Sequence, residues 1–350
     1  MPDTAPLSLD SVSVLLVWTA IVIYAIAFVA YAIDLARRSA QAVDVKDARE
    51  RQLVGAGAGA MAGGGRTINQ VREQERIADE ALTARPADRP KLLWARIGTA
   101  LTVLAFLFHV GGDVTRGLAA GRVPWSNMYE FSLTGTMLVV AVYLAVLFRY
   151  DLRFLGSFIT GLVVLLLGGA ALAFYVEITP LMDPLKSVWL VIHVFVASLA
   201  TALFALAFGL SVTQLMQARR ERKALAAGDD PAAAAKSGPG FLRTLPSAEA
   251  LESLAYRFAI LGFIFWTFTL IAGSIWANDA WGRYWGFDTK EVWTFVIWVL
   301  YAGYIHARAT RGWRGSRSAW LSIIGFSAVL FNFTIVNMFF KGLHAYSGLS

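Results

Sequence analysis

The stretch IWANDAWGRYWGFDTKEVWTFVIWVLYAGYIHAR, residues 275–308, decides how the chain is built. It joins two apolar runs, 258–278 and 292–307, through a short charged connection crowded with indole rings. Trp276, Trp281, Trp285 and Trp293 fall in or beside that connection, with Tyr284 and Phe287 among them. Arg283, Asp288, Lys290 and Glu291 supply charge, and Gly282 and Gly286 let the backbone turn tightly. A Trp or two at the end of a membrane helix is ordinary, because an amphipathic ring suits the headgroup zone. Here the rings are denser than a belt requires. The composition fits a platform for a large flat aromatic ligand whose rim carries charge.

Working outward, the 350 residues are 57% hydrophobic, with a mean hydropathy of +0.57. That is too apolar for a soluble domain of this length. A membrane-spanning helix needs about 20 apolar residues. Segments near 12–33, 92–112, 131–148, 154–176, 188–214, 258–278, 292–309 and 319–340 meet or nearly meet that length. The expected fold is therefore all-α, a polytopic membrane protein of about eight transmembrane helices. Val12–Ile33 is too long for a signal-peptide core and runs into Asp34 and a basic cluster, so it reads as a retained anchor. The chain has no cysteine, which excludes disulfides, thiolate metal sites and a Cys nucleophile.

Lys and Arg in the loops set the orientation. Arg37, Arg38, Lys46, Arg49 and Arg51 follow the first span, and Arg149 and Arg153 follow the third. Arg219, Arg220, Arg222, Lys223 and Arg243 follow the fifth, and Arg308, Arg311, Arg314 and Arg317 the seventh. Every second loop is basic and is expected in the cytoplasm, which puts both termini and the Trp-rich loop outside. Topology accounts for the net charge of +7, so no nucleic-acid partner is expected, and membrane lipid is. The expected divisions are an N-terminal helix over 1–36, a flexible cytoplasmic linker over 37–90 and a membrane domain over 91–350. The linker carries a Gly/Ala run at 55–65 and the pattern of a short helix at 67–82.

All four histidines fall on the spans or their edges, none in the long polar loops. An ionisable group within a span is a functional hypothesis by default. His193, His344 and His109 lie near the outer face, level with the Trp-rich loop. His306 sits some 15 residues into the seventh span, roughly 20 Å deeper at the rise of a helix. Neutral imidazole is a common iron ligand. A porphyrin needs axial ligands, aromatic walls and basic groups for its propionates. His193 and His344 suit the ligands, the Trp-rich loop the wall, and Arg283 or Lys290 the charge. His306 is too deep to share that haem and finds no histidine partner at its own depth. His109 stays ambiguous on this reading.

The stretch WANDAWGRYWGFDTKEVW at 276–293 resembles the "WWD" signature of haem-handling proteins of cytochrome c maturation. From Leu92 to Ser350 the chain is similar to the CcsA/ResC branch of that family, the large subunit of the system II cytochrome c synthase. PWSNMYEF at 124–131, YIHAR at 304–308 and KGLHAYSG at 341–348 carry the likeness further. Two departures stand out: the family commonly has Trp at the position of Phe287 and Pro at that of Thr289. Phe keeps a π-face but lacks the indole N–H.

The resemblance implies a haem transport and haem lyase function in the bacterial cytoplasmic membrane, with the WWD loop on the extracytoplasmic side. Haem b is the implied ligand, held on the outer face by His193 and His344. Trp276, Trp281, Trp285, Phe287, Asp288 and Trp293 form the signature around it. His306 is implied in an inner haem site completed by a ResB-type membrane subunit. The other implied partners are apocytochrome c, whose CXXCH thiols are joined to the haem vinyls, and a thioredoxin-like thiol reductant. No side chain is expected as acid or base; the enzymatic contribution is positioning. Two other readings compete. A haem exporter or delivery protein without lyase activity, of the CcmC kind, is shorter, with about six spans. An unrelated transporter would show discontinuous helices and ion-coordinating polar groups at mid-membrane. Asn332 and Asn337 are the residues to watch for that, and helix packing explains them as well.

Overall fold

The computed structural model describes residues 8–53, 93–226, 238–310, 313–340 and 342–343, with only the backbone over 40–53. The segment expected to hold a helix at 67–82, and His344, lie outside the described residues. Eight long helices follow in order: α1 Leu9–Leu53, α2 Leu93–Ala120, α3 Met128–Leu147, α4 Gly156–Ala173, α5 Val188–Ala226, α6 Ala248–Trp281, α7 Thr289–Ala309 and α8 Ser316–Phe331. The last continues through a π-helical turn, Asn332–Val336, into a short α-turn, Asn337–Phe339. Every regular element among the described residues is helical, and the chain is an all-α polytopic membrane protein.

Seven of these helices are long and apolar enough to cross a membrane. The exception is α7, the seventh expected span. Lys290 and Glu291 stand in its first turn, and His306 and Arg308 in its last. Helices also outrun the apolar stretches that announced them. Hydropathy marks the length in contact with lipid, whereas the backbone ladder continues until a capping residue stops it. Thus α1 runs on through residues 37–53, and α6 begins at Ala248, capped by the Ser247 hydroxyl, rather than near 258.

α1 packs on α2 and α4, while α5 packs on α6, α3 and α8. The two halves meet where α3 lies on α5 and where the short helical turn Gly240–Thr244 lies on α1. Small residues permit the close approaches. Tyr31 of α1 inserts between α2 and α4, where a Cβ on Gly98 or Gly156 would lie 2.9 Å or 2.5 Å from its ring. On α5, Ala200, Ala202, Ala205 and Ala207 are fully buried, and Phe204 stacks on Tyr301 of α7 at 3.6 Å. This core fixes α5, α6, α7 and α8 against one another, and those four helices carry the site.

Candidate functional site

The connection between α6 and α7 is shorter than the sequence indicates. Trp276 and Trp281 belong to α6, and Trp293 belongs to α7. Gly282, at φ 69°, ends α6 in the left-handed region, donating from its N–H to the Asn278 carbonyl at 2.8 Å. Asp288 caps α7 in a capping box with Glu291. The Glu291 carboxylate accepts from the N–H of Gly286 at 2.8 Å and of Asp288 at 3.1 Å. The loop between is therefore pinned from within. Phe287 sits at φ 56° and is 80% exposed. A bulky side chain in that region is strained, and such strain gathers at functional sites.

His193, in the second turn of α5, stands under this loop. Its Nδ1 donates to the Thr269 carbonyl of α6 at 3.1 Å. A carbonyl can only accept, so the neutral ring carries its proton on Nδ1 and its lone pair on Nε2. Metal-ligating histidines are typically oriented this way. Trp276 meets the imidazole edge-on at 5.5 Å and is itself held by its indole N–H donating to the Pro184 carbonyl at 2.9 Å. Gly273 leaves the ring its space, since a Cβ there would lie 2.8 Å from His193 Cε1.

Two cavities adjoin His193. An outer recess is bounded by His193, Gly273, Tyr284, Trp285, Lys290 and Glu291. Trp285 crosses Phe287 and Phe295 edge-to-face, each at 6.3 Å. A larger, mostly apolar chamber reaches from the same histidine between α3, α4, α5 and α8. Thr269, Lys290 and Thr294 stand in both walls.

The remaining residues singled out from sequence divide. Trp293 packs on Phe331 at 4.4 Å, between α7 and α8. Trp281 is the last residue of α6. His306 is exposed, near the far end of α7, about 24 Å along the helix from Lys290. It continues an exposed stripe of Val292, Phe295 and Val299. His109 is fully buried between α1 and α3: its Nε2 donates to the Leu133 carbonyl at 2.9 Å and its Nδ1 accepts from the Tyr24 hydroxyl at 3.4 Å. Both ring nitrogens are thus engaged within the helix packing. Asp288 approaches the chain just before His344, because a Cβ on Gly342 would collide with its carboxylate.

Sequence reasoning missed an ionic cluster beneath the segment 122–130. The Glu130 carboxylate accepts from Arg116 Nε at 3.2 Å, Arg122 Nη1 at 2.7 Å and the Ser126 N–H at 2.9 Å. Arg116 also donates to Asp10 on α1 at 2.6 Å and to the Val176 carbonyl at 2.8 Å. These bonds tie α1, α2 and α3 together and set Trp125 in the chamber wall, where its indole N–H donates to Thr134 at 2.7 Å. The adjacent Pro, Trp, Tyr and Glu of PWSNMYEF were the available signal.

A family model described as cytochrome C assembly protein matches residues 125–344. The cytochrome c biogenesis protein CcsA of Trieres chinensis is 33% identical over 278 residues, covering 72% of this chain and 86% of the relative. That of Guillardia theta is 33% identical over 264 residues, covering 73% and 86%. That of Synechococcus elongatus is 34% identical over 282 residues, covering 71% and 87%.

Proposed function

Because the chain belongs to the cytochrome c assembly family and serves cytochrome c maturation, we propose that it holds haem b in the outer recess, as substrate, for attachment to apocytochrome c. The observation that carries this reading is His193: an imidazole with Nδ1 committed to the Thr269 carbonyl, braced by Trp276, at the edge of a ring-lined recess. In this reading Nε2 of His193 ligates the iron from one face. His344, which follows the Asp288–Gly342 contact in sequence, ligates it from the other. The rings of Trp285 and Phe287 form the wall, and Lys290 and Arg283 stand near the propionates.

The chain supplies no nucleophile. The thiols of the apocytochrome CXXCH segment, kept reduced by a thioredoxin-like partner, add across the haem vinyls. Each addition breaks one S–H bond and one vinyl π bond and forms one C–S and one C–H bond. The chain's own contribution is to hold the porphyrin edge-out and exclude other geometries. His306, exposed on a helix face at the opposite end of α7, belongs to an inner haem site whose second ligand comes from a ResB-type subunit. The loop side is extracytoplasmic and the membrane is the bacterial cytoplasmic one. Co-expression with the ResB-type subunit in a host stripped of other maturation systems tests the function. Holocytochrome c is expected with the wild type and not with His193→Ala. Equal yields from both would reject the ligand assignment.

A further inference from the structure

The motif PWSNMYEF at 124–131 lies outside the recess, yet two separate hydrogen-bond networks converge on its Trp125. The first fixes the backbone. The Glu130 carboxylate accepts from the N–H and the hydroxyl of Ser126, each at 2.9 Å. Asn127 returns the bond, its Oδ1 accepting from the Glu130 N–H at 2.9 Å. Reciprocal bonds of this kind close the turn that carries Trp125. The second network fixes the ring. The indole N–H donates to the Thr134 hydroxyl at 2.7 Å, and that hydroxyl donates to Asp113 Oδ1 of α2 at 2.9 Å. Thr134 and Asp113 are both buried.

An indole in a headgroup belt sits with its polar edge at the membrane–water interface. Trp125 instead turns its N–H into the protein, toward a buried carboxylate, and stays half-buried in the chamber wall. An accessible ring held both by its backbone and by its N–H is preorganised, as a ligand contact must be.

Its position points to the ligand. Trp125 and Trp276 both pack on a small cluster of Leu185, Leu190 and Val194. Leu190 and Val194 flank His193 in the first turns of α5, and Trp276 meets the imidazole edge-on. His193 stands in the walls of both the recess and the chamber. A macrocycle spreads on every side of the nitrogen that ligates its iron. A porphyrin held by His193 therefore overhangs the chamber as well as the recess.

We propose that Trp125 is a second aromatic wall of the haem seat, on the chamber side of His193, and that Asp113, acting through Thr134, positions its ring. The assignment rests on the haem reading above and gives the buried Asp113 carboxylate a role.

The test titrates the full chain in detergent with haem, followed by absorption, and with iron-free protoporphyrin IX, followed by fluorescence. The iron-free ring uses the walls but needs no axial ligand. Trp125→Ala is expected to weaken both porphyrins by about fivefold, whereas His193→Gly weakens haem alone. Thr134→Val keeps the shape and removes the hydroxyl. It is expected to weaken haem by about threefold, and to have no further effect on a Trp125→Phe background, where there is no N–H to orient. Thr134→Ser, which retains the hydroxyl, should bind as wild type. Unchanged affinity for both porphyrins in Trp125→Ala would overturn the wall. Equal losses from Thr134→Val on both backgrounds would overturn the positioning role, since a merely structural defect does not depend on the indole. Should Thr134→Val fail to fold, Trp125→Ala against the two porphyrins decides alone. Failure of the iron-ligand assignment shows separately, as unchanged haem affinity in His193→Gly.

Discussion

Gly273→Ala probes the haem seat without touching a ligand. A Cβ at this position would stand 2.8 Å from His193 Cε1 and 3.1 Å from Nδ1. Comfortable separation between carbons is about 3.5–4.0 Å, so the ring must retreat by roughly 0.7 Å. Thr269 lies one turn before Gly273 on the same face of α6, so moving from one moves from the other. The Nδ1–carbonyl distance, now 3.1 Å, would stretch to about 3.8 Å, beyond hydrogen bonding. Loss of such an orienting bond typically weakens metal binding by about 10–100-fold. The helix itself gains, since Ala is favoured over Gly in a helix interior by about 0.5–1 kcal/mol. The expected phenotype is a protein at least as stable as wild type whose haem affinity, followed by absorption titration, falls by that factor. Gly169→Ala on α4, where a Cβ meets nothing within 4 Å, is the control and should leave haem affinity unchanged. Wild-type affinity and spectrum in Gly273→Ala would refute the role given to the Thr269 bond.

Glu130→Ala takes the shared carboxylate from Arg116 and Arg122 and leaves Arg116, which is fully buried, with Asp10 alone to balance its charge. Removing one partner of a buried pair costs about 3–5 kcal/mol, to be seen as a large drop in melting temperature or loss of extractable protein. Phe287→Asn relieves the positive φ and should stabilise the fold by about 1 kcal/mol. It should lower holocytochrome yield in cells, because the exposed ring is lost from the loop. Gly342→Ala forces the chain away from the Asp288 carboxylate. Holocytochrome yield should fall while the melting temperature holds. His306→Ala should leave haem titration at the outer recess unchanged in the isolated chain, since the residue lies about 24 Å along α7 from Lys290.

Much of this was legible in the sequence because membrane insertion enforces simple rules. Apolar runs of sufficient length gave the spans, and the Trp-rich stretch located the loop that closes the site. His193 was legible as a polar ring just inside a span. Other features depend on contacts that no linear pattern encodes. Trp281 reads as a loop residue because the apolar run ends before Asp279, yet the helix continues through it to Gly282. Trp293 carries the signature's spacing but turns toward Phe331. Asn332 and Asn337 read as helix-packing polar groups, and they do bond to α7. The π-turn, which holds Asn332 and ends just before Asn337, is invisible without coordinates. So are the pairing of Arg116 with Glu130 and the carbonyl that orients His193, because both join residues from different helices.

The central claim is that His193 holds haem iron in the outer recess. The most direct test is the reduced absorption spectrum of the detergent-purified chain as wild type, His193→Gly, and His193→Gly with added imidazole. The account predicts a b-type spectrum in the wild type, its loss at the outer site in the variant and its return with imidazole, which replaces the missing ring. An unchanged spectrum in His193→Gly, or a featureless one from folded wild type given ample haem, would contradict it.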